Sequence, residues 1–246
     1  MAIFAHREQI LRHHAHWTNK PSLQRAYHGF YRLIASSLSD LPESLVVELG
    51  SGIGSIRDVI PQCVTTDLFP TPWSDLVENA YELSFPNQSV SDLILVDVFH
   101  HLQYPGTALN EFHRLLRPGG RVIMLEPCIS ALSLIVYGLL HPEGLRFNHK
   151  IQWLAPPGQS LESPDYYTSQ GNATSIFLGR AFRSKLDNWQ SVEITRLSAL
   201  AYLATGGYTK PQLVRDRDLP VLKTAERWFD PIPALFATRM LVVLTK

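Results

Sequence analysis

The stretch Leu45-Val46-Val47-Glu48-Leu49-Gly50-Ser51-Gly52-Ile53-Gly54 decides the fold. Apolar residues around one acid predict a buried strand, which ends in a loop with glycine at every second position. Glycine has no Cβ to obstruct a ligand that approaches the loop backbone. Ser55-Ile56-Arg57-Asp58-Val59-Ile60 then begins a predicted helix, whose unpaired N–H groups face the loop. Together these elements predict a nucleotide pocket at the carboxyl edge of a parallel sheet.

Composition indicates one globular domain without a polyanionic partner. The chain has 246 residues, of which 45% are hydrophobic, enough to bury a substantial core. Its 22 basic residues balance its 22 acidic residues, so no long-range positive field attracts nucleic acid, and we expect none as a partner. Cys63 and Cys128 lack metal-ligand spacing and suggest a reducing compartment.

The sequence offers no segment for stable membrane insertion. Residues 1–7 lack the basic segment and long apolar run of a signal peptide. The most apolar window, residues 129–140, is too short to cross a bilayer. We therefore expect a cytoplasmic protein.

Residues 1–40 are predicted to be helical and to lie over the pocket as a lid. Within them, Tyr27, His28 and Tyr31 are the candidates for touching a ligand. The upstream histidines suggest either a metal site or a solvated helix; they are His6, His13, His14 and His16. No cysteine or carboxylate stands at ligand spacing from them, so we predict no metal.

Gln62-Cys63-Val64-Thr65-Thr66-Asp67 is predicted as the second strand, ending in a carboxylate. An acid at that place can accept hydrogen bonds from both hydroxyls of a ribose. The alternative is that Asp67 caps a turn before Phe69-Pro70. Its position, one strand beyond the glycine loop, favours the ribose role.

The run from Asp92 to Phe99 is the clearest buried strand, and it carries Asp97, His100 and His101 to its carboxyl end. Residues 129–190 interrupt the pattern of strands and crossovers with an apolar helix face and a polar, proline-broken section. The other predicted elements are strands at 76–80, 121–125, 191–197 and 240–244, helices at 107–116 and 219–229, and a turn at 117–120. Strands that alternate with helices and turns predict a parallel sheet.

Ordered motifs now carry a resemblance to a family. Val47 to Gly54 resembles the pattern E/D-x-G-x-G-x-G, and Asp67 stands where a ribose-binding acid ends strand two. Residues 79–89 are similar to D-A-x-x-L-P-F-x-D-x-S, while 100–102 and 116–120 match the exit from strand four and the turn before strand five. The chain thus resembles the class I S-adenosylmethionine-dependent methyltransferases of the type-11 group.

The resemblance implies an α/β, Rossmann-like class I methyltransferase fold, with a seven-stranded, mostly parallel sheet and helices on both faces. It implies a single domain over residues 1–246. Within it, residues 1–40 form the helical lid, 41–128 the cofactor-binding half, 129–190 an insertion that covers the substrate, and 191–246 the C-terminal strands and helix.

The same resemblance implies the cofactor contacts. Glu48 and the loop backbone from Gly50 through Ser51 and Gly52 to Gly54 would hold the methionine portion of S-adenosyl-L-methionine. Asp67, with Leu68 beside it, would hold the ribose, Asn79 and Ala80 the adenine, and Asp97 and Val98 would line the methyl-transfer side. The family usually has aspartate at the position of Asn79, but an amide oxygen can still accept a hydrogen bond from the adenine amine.

Methyl transfer from a sulfonium needs alignment of the acceptor and exclusion of water, and a base only where the acceptor must lose a proton. The candidate bases are His100, His101, His141 and Asp97, with the alternative that His101 is a structural residue that caps the next helix. Residues that could face the acceptor are Tyr137, Glu143, Asn172 and Tyr208.

The apolar, aromatic-rich insertion and lid suggest a small-molecule or lipid-like acceptor, methylated on oxygen, such as a lipid-linked, saccharide or polyketide-like compound. One alternative is a protein that binds without catalysing. Another is a nicotinamide-dependent oxidoreductase, whose fingerprint G-x-G-x-x-G and acid about 20 residues further on are not met here.

Overall fold

The computed structural model describes residues 2–136, 150–158, 167 and 169–246. The sequence-based candidates Tyr137, His141 and Glu143 lie outside these residues.

Within the described residues, seven strands form one sheet in the order β3-β2-β1-β4-β5-β7-β6. The first five strands pair in parallel, and β7 runs antiparallel to both β5 and β6. The predicted seven-stranded, mostly parallel sheet is confirmed. The strands are β1 (Val46–Leu49), β2 (Val64–Asp67), β3 (Leu76–Val77), β4 (Val90–Val96), β5 (Leu116–Pro127), β6 (Ser191–Leu197) and β7 (Arg239–Thr245).

Helices cover both faces of the sheet, as predicted. The two α-helices of the N-terminal segment are separated by one residue, Lys20. The helices are α1 (Ala2–Asn19), α2 (Pro21–Ala35), α3 (Pro105–Leu115), α4 (Ala131–Ile135), α5 (Asn172–Phe177), α6 (Leu200–Ala204), α7 (Leu219–Phe229) and α8 (Pro233–Phe236). None of the helices in this described part of the chain is long and apolar enough to span a membrane.

The alternation of side chains along β4 builds two cores. Leu93 and Leu95 belong to the core that includes Phe112 of α3, whereas Ile94 belongs to the core that includes Phe30 of α2. Successive side chains of a strand point to opposite faces, so the middle of a central strand that is covered on both sides is apolar at consecutive positions, as at Leu93, Ile94 and Leu95. This is why residues 92–99 read as a continuous buried run.

Three elements differ from the sequence-based expectation. The glycine loop leads into a single 3-10 turn, Ser55–Asp58, and not into an α-helix. The third strand ends at Val77, three residues earlier than predicted. Strand β5 begins at Leu116, and the predicted proline-glycine turn is a bulge inside it, because pairing with β4 shifts register there while Gly119 has φ of 80°.

Truncation in the α3 core tests this packing. Phe112 is fully buried, so we expect Phe112→Ala to lower the free energy of unfolding by about 3–5 kcal/mol through lost burial and the cavity left behind. Trp228→Ala is the matched aromatic control, because Trp228 is 79% exposed and its loss should change the value by less than about 0.5 kcal/mol. Urea denaturation measures both. Equal effects would contradict the assigned core.

Candidate functional site

A cavity of about 1080 Å³ opens where the carboxyl ends of the parallel strands meet. It extends from the glycine loop past the end of β4 to residues of the insertion and of the loop after α6. Pockets for drug-sized ligands measure about 300–1,000 Å³, so this cavity is at the upper end of that range. Ligands of open α/β sheets bind at this edge.

All three loop glycines have left-handed backbone, with φ of 66°, 55° and 66° at Gly50, Gly52 and Gly54. A Cβ on Gly50 would lie 2.5 Å from the Val98 side chain, and one on Gly54 would lie 3.1 Å from the Trp73 carbonyl oxygen. At these two positions the missing Cβ makes room for the protein itself, which corrects the expectation that every glycine clears space for a ligand. Gly54 begins the 3-10 turn and is not among the residues that line the cavity.

Asp67 at the end of β2 holds the glycine loop. Its Oδ2 accepts a hydrogen bond from the Gly52 N–H at 3.0 Å. The Ser51 N–H donates to the Thr66 carbonyl oxygen at 2.8 Å, and the Thr66 N–H donates to Ser51 Oγ at 3.0 Å. Loop and strand therefore fix each other, and Asp67 lies at the cavity wall with Leu68 beside it.

Glu48 is a buried carboxyl group at the foot of the cavity. Among the described residues its Oε2 has no hydrogen-bond partner. Burial, reinforced by the nearby Asp67 carboxylate, raises the pKa of Glu48 to about 8. A positively charged ligand group beside Glu48 would favour the ionised carboxylate and would be bound by it.

Asn79, Ala80 and Tyr81 line the part of the cavity beyond Leu68. The Asn79 Oδ1 accepts a hydrogen bond from the Tyr81 N–H at 3.0 Å, which closes a tight turn. The amide thus shapes its own segment before any ligand contact.

Asp97 forms an ion pair with the buried Arg239 at the start of β7. Its backbone φ is 58°, and the Tyr27 hydroxyl donates to its Oδ2 at 3.4 Å. The Arg239 guanidinium lies 4.5 Å from the centre of the Tyr202 ring, within range of a cation–π interaction. Burial opposes the charge on Asp97, but Arg239 outweighs it, and the pKa of Asp97 is lowered. This disfavours Asp97 as a proton acceptor.

His100 follows β4 and is 2% exposed. Its Nδ1 lies 2.7 Å from Oε2 of Glu126, which is fully buried near the end of β5. The His101 Nδ1 lies 3.1 Å from the Tyr167 carbonyl oxygen. His101 thus contacts the insertion. Helix α3 begins after Tyr104, whose side chain makes no capping hydrogen bond.

Helix α1 crosses the cavity. Ile10 lies over Gly52, while the ring of His13 stacks on Tyr208 and that of His14 on Trp73, each with centroids 4.6 Å apart. These contacts place two of the four N-terminal histidines against aromatic rings. Within the described residues no group of three His, Cys, Asp or Glu side chains could hold a metal ion.

Helix α2 brings Tyr27 and Tyr31 to the cavity, as predicted, and the Tyr31 hydroxyl lies 2.6 Å from Ser55 Oγ. His28 does not line the cavity. Its Nε2 lies 2.9 Å from Oδ2 of Asp58.

The structure separates the two described residues that could face an acceptor. Tyr208 lines the cavity, whereas Asn172 is buried outside the lining and donates to the Tyr167 hydroxyl at 2.9 Å. Polar and aromatic residues that sequence reasoning did not assign to the site include Gln170, Tyr202 and Arg239, which line the cavity, and Glu126, which contacts His100. A charged residue next to a buried apolar strand, as at Glu126 and Arg239, is the signal that could have found two of them.

Residues 47–124 match the family model described as a methyltransferase domain. The chain contains a class I, type-11 methyltransferase domain. Its methyl donor is S-adenosylmethionine. No curated protein matches the chain.

Solved structures share the fold of this methyltransferase. A SAM dependent methyltransferase from Archaeoglobus fulgidus has 12% identity and a TM-score of 0.53, over 91% of this chain and 94% of that one. A possible histamine N-methyltransferase from Thermotoga maritima has 14% identity and a TM-score of 0.51, over 91% of each chain. The geranyl diphosphate C-methyltransferase from Streptomyces coelicolor has 12% identity and a TM-score of 0.52, over 89% of this chain and 78% of that one. At these identities the likeness shows the fold alone.

Gly50 and Gly158 have similar left-handed backbone but different surroundings. Alanine substitutions at the two positions therefore distinguish conformational strain from steric clash. Gly50→Ala would bring a Cβ to 2.5 Å from Val98, whereas Gly158, with φ of 76°, has open space around the same position. We expect Gly158→Ala to cost about 1 kcal/mol, the strain of left-handed backbone, and Gly50→Ala to cost more and to weaken cofactor binding.

Thermal denaturation and calorimetry with S-adenosylhomocysteine measure the two effects. If both variants lost the same stability and kept wild-type affinity, the close approach of Val98 would not constrain the loop.

Proposed function

We propose that this methyltransferase transfers the methyl group to a hydroxyl oxygen of a small or amphipathic acceptor. The observation that carries the proposal is the cavity, which continues from the glycine loop past Asp97 to the histidine after β4. One end suits the cofactor, and the other presents a buried imidazole to a second molecule.

The cofactor end fits the methionine and ribose portions of S-adenosylmethionine. Glu48 offers an Oε2 without a partner among the described residues, suited to the α-ammonium group. The backbone of Gly50, Ser51 and Gly52 would follow the methionine chain. Asp67 lies beside the loop, where its carboxylate can accept hydrogen bonds from the ribose hydroxyls.

The adenine would lie against Asn79 and Ala80, beside Leu68 and Tyr81, all of which line the cavity. Gly54, assigned to the methionine site from the motif, would act through the shape of the loop, because it lies behind the cavity wall and next to Trp73.

The acceptor would lie beyond Asp97 and Val98. Tyr27, Tyr202 and Tyr208 supply aromatic surface to the cavity, in agreement with a small-molecule or lipid-like compound. Of the catalytic candidates, His100 is proposed as the base, since Asp97 is paired with Arg239 and His101 contacts the insertion. Helices α1 and α2 would cover both ligands as a lid on a single domain.

When bound, S-adenosylmethionine supplies a methyl carbon that the acceptor oxygen attacks in line while the carbon–sulfur electron pair leaves with sulfur. The chain's own residues hold the acceptor in line and exclude water, an effect of orientation. The buried ring of His100 accepts the hydroxyl proton.

Methyl transfer from tritium-labelled S-adenosylmethionine to a panel of phenols, long-chain alcohols and saccharides tests the proposed function. We expect labelled ethers from at least one hydroxyl class, and none from the matched amines and thiols. Binding of the cofactor without any transfer would favour the alternative of a non-catalytic protein, and labelled amines would contradict the assignment of oxygen.

Glu48 predicts how cofactor affinity depends on pH. Without ligand, burial raises its pKa from 4.5 to about 8, and a cation binds best to the ionised form. Affinity for S-adenosylmethionine should therefore rise from pH 6 to pH 8. Glu48→Gln should abolish the rise and weaken binding at pH 8 by roughly tenfold or more, as expected for loss of a charge-assisted hydrogen bond.

The same pKa shift predicts a stability effect with a definite sign. The folded-state pKa is raised, so the contribution of Glu48 to stability is complete below pH 4.5 and is lost as pH rises through about 8. In the ligand-free protein, Glu48→Gln should therefore flatten the decline of the unfolding free energy with rising pH. Glu193→Gln, at an exposed position of β6, should not. Calorimetry and urea denaturation across pH check both effects. An unchanged pH profile in Glu48→Gln would refute the role of Glu48.

A further inference from the structure

We propose that Glu126 is a positioning residue that holds His100 in the tautomer able to accept a proton from the methyl acceptor. The inference rests on the proposed function, because it assigns the machinery of the same proton transfer. It adds a residue that the motifs of the glycine loop and of strand four do not contain.

Backbone amides fix the Glu126 carboxylate. Its Oε1 accepts hydrogen bonds from the N–H groups of Val98 and Phe99 at 3.0 and 2.7 Å, and its Oε2 accepts one from the His100 N–H at 3.3 Å. Several N–H donors on one buried carboxyl group stabilise its ionised form. The turn after β4 therefore surrounds the Glu126 carboxylate, which belongs to β5, with N–H donors.

The Glu126 carboxylate determines the tautomer of His100. The Oε2 atom lies 2.7 Å from Nδ1 of the ring, and an ionised carboxylate can only accept a hydrogen bond. Nδ1 must therefore carry the proton, which leaves Nε2 with its lone pair. A histidine whose second nitrogen is fixed by a carboxylate is the arrangement that suits a general base.

Gln170 agrees with this assignment. Its amide Nε2 lies 3.5 Å from the His100 Nε2, at the outer limit of hydrogen-bond distance, and the amide nitrogen can only donate. Both residues line the cavity. An acceptor hydroxyl is also a donor, and we infer that it takes the position of the Gln170 amide when it binds.

The proton balance of the step is complete within this group. The hydroxyl proton moves to His100 Nε2 as the oxygen forms its bond to the methyl carbon, and the ring becomes an imidazolium. The Glu126 carboxylate stabilises that positive charge, and the proton leaves to solvent after the products depart. The products are a methyl ether and S-adenosylhomocysteine.

Asp97 and His101 are further titratable groups near His100. Asp97 contributes a negative charge that Arg239 balances, and the ring of His101 lies with its centroid 4.1 Å from that of His100. The Nδ1 of His101 faces the Tyr167 carbonyl oxygen at 3.1 Å. The Glu126 carboxylate, by contrast, is in direct contact with Nδ1 of the His100 ring.

Nitrogen-15 NMR of the histidine rings in the full-length protein tests the inference directly. We expect wild-type His100, assigned by comparison with His100→Asn, to show the tautomer protonated at Nδ1. In Glu126→Gln the side-chain amide can donate to Nδ1, so the proton should move to Nε2. Wild-type His100 protonated at Nε2 would overturn the proposal.

The matched control is Asp92→Asn. Asp92 is likewise a fully buried carboxylate that accepts hydrogen bonds, from the N–H and Oγ of Ser39, but it lies toward the other end of β4. Its loss should reduce stability without changing the His100 tautomer. A tautomer change of equal size in this variant would show that general destabilisation, and not the Glu126 contact, controls the ring.

Rates then connect the tautomer to catalysis. For a hydroxyl acceptor found in the panel above, Glu126→Gln should lower kcat by about 100-fold or more while the affinity for S-adenosylhomocysteine stays within about twofold. An unchanged kcat with a changed tautomer would overturn the role of Glu126. If the wild-type protein shows the expected tautomer but methylates no hydroxyl compound, the positioning of His100 stands and the proposed function fails.

Discussion

The hydrogen bonds between the glycine loop and the end of β2 are the constraint on which the site depends. A loop of left-handed residues has few internal hydrogen bonds, and here the adjacent strand supplies them through Thr66 and Asp67. The same hydrogen bonds fix the position of the Asp67 carboxylate relative to the loop backbone. The Asp67 carboxylate, which we propose binds the ribose, thereby also supports the glycine loop.

Three carboxyl groups at the same sheet edge have three different environments: Glu48 and Glu126 are buried, and Asp97 is half-buried. Burial dominates at Glu48 and raises its pKa, whereas the ion pair with Arg239 outweighs desolvation at Asp97 and lowers its pKa. Glu126 is surrounded by N–H donors and one imidazole. Acids placed in such distinct surroundings can take separate roles in ligand binding, support and proton transfer. Local contacts, and not the residue type, assign those roles.

The N-terminal helices contribute side chains to the cavity wall. Ile10 lies against the glycine loop, and two imidazoles of α1 stack on the rings of Tyr208 and Trp73. Lys20, between the two helices, donates to the carbonyl oxygens of Gly207 and Lys210 at 2.8 and 2.5 Å. The junction between the two helices is thus bonded to the loop that carries Tyr208, which connects the first and last thirds of the chain.

The sequence by itself determined the strands, the glycine loop and the family, because these depend on local patterns: a continuous apolar run in β4, alternate glycines after β1, and an acid at the end of β2. It also located Asp97, His100 and His101 at one edge. Only the tertiary structure decided what these groups do, since Arg239 lies 142 residues from Asp97 along the chain and Glu126 lies 26 from His100. Ion pairs and tautomers follow from distances across the sheet, and no local pattern encodes those distances.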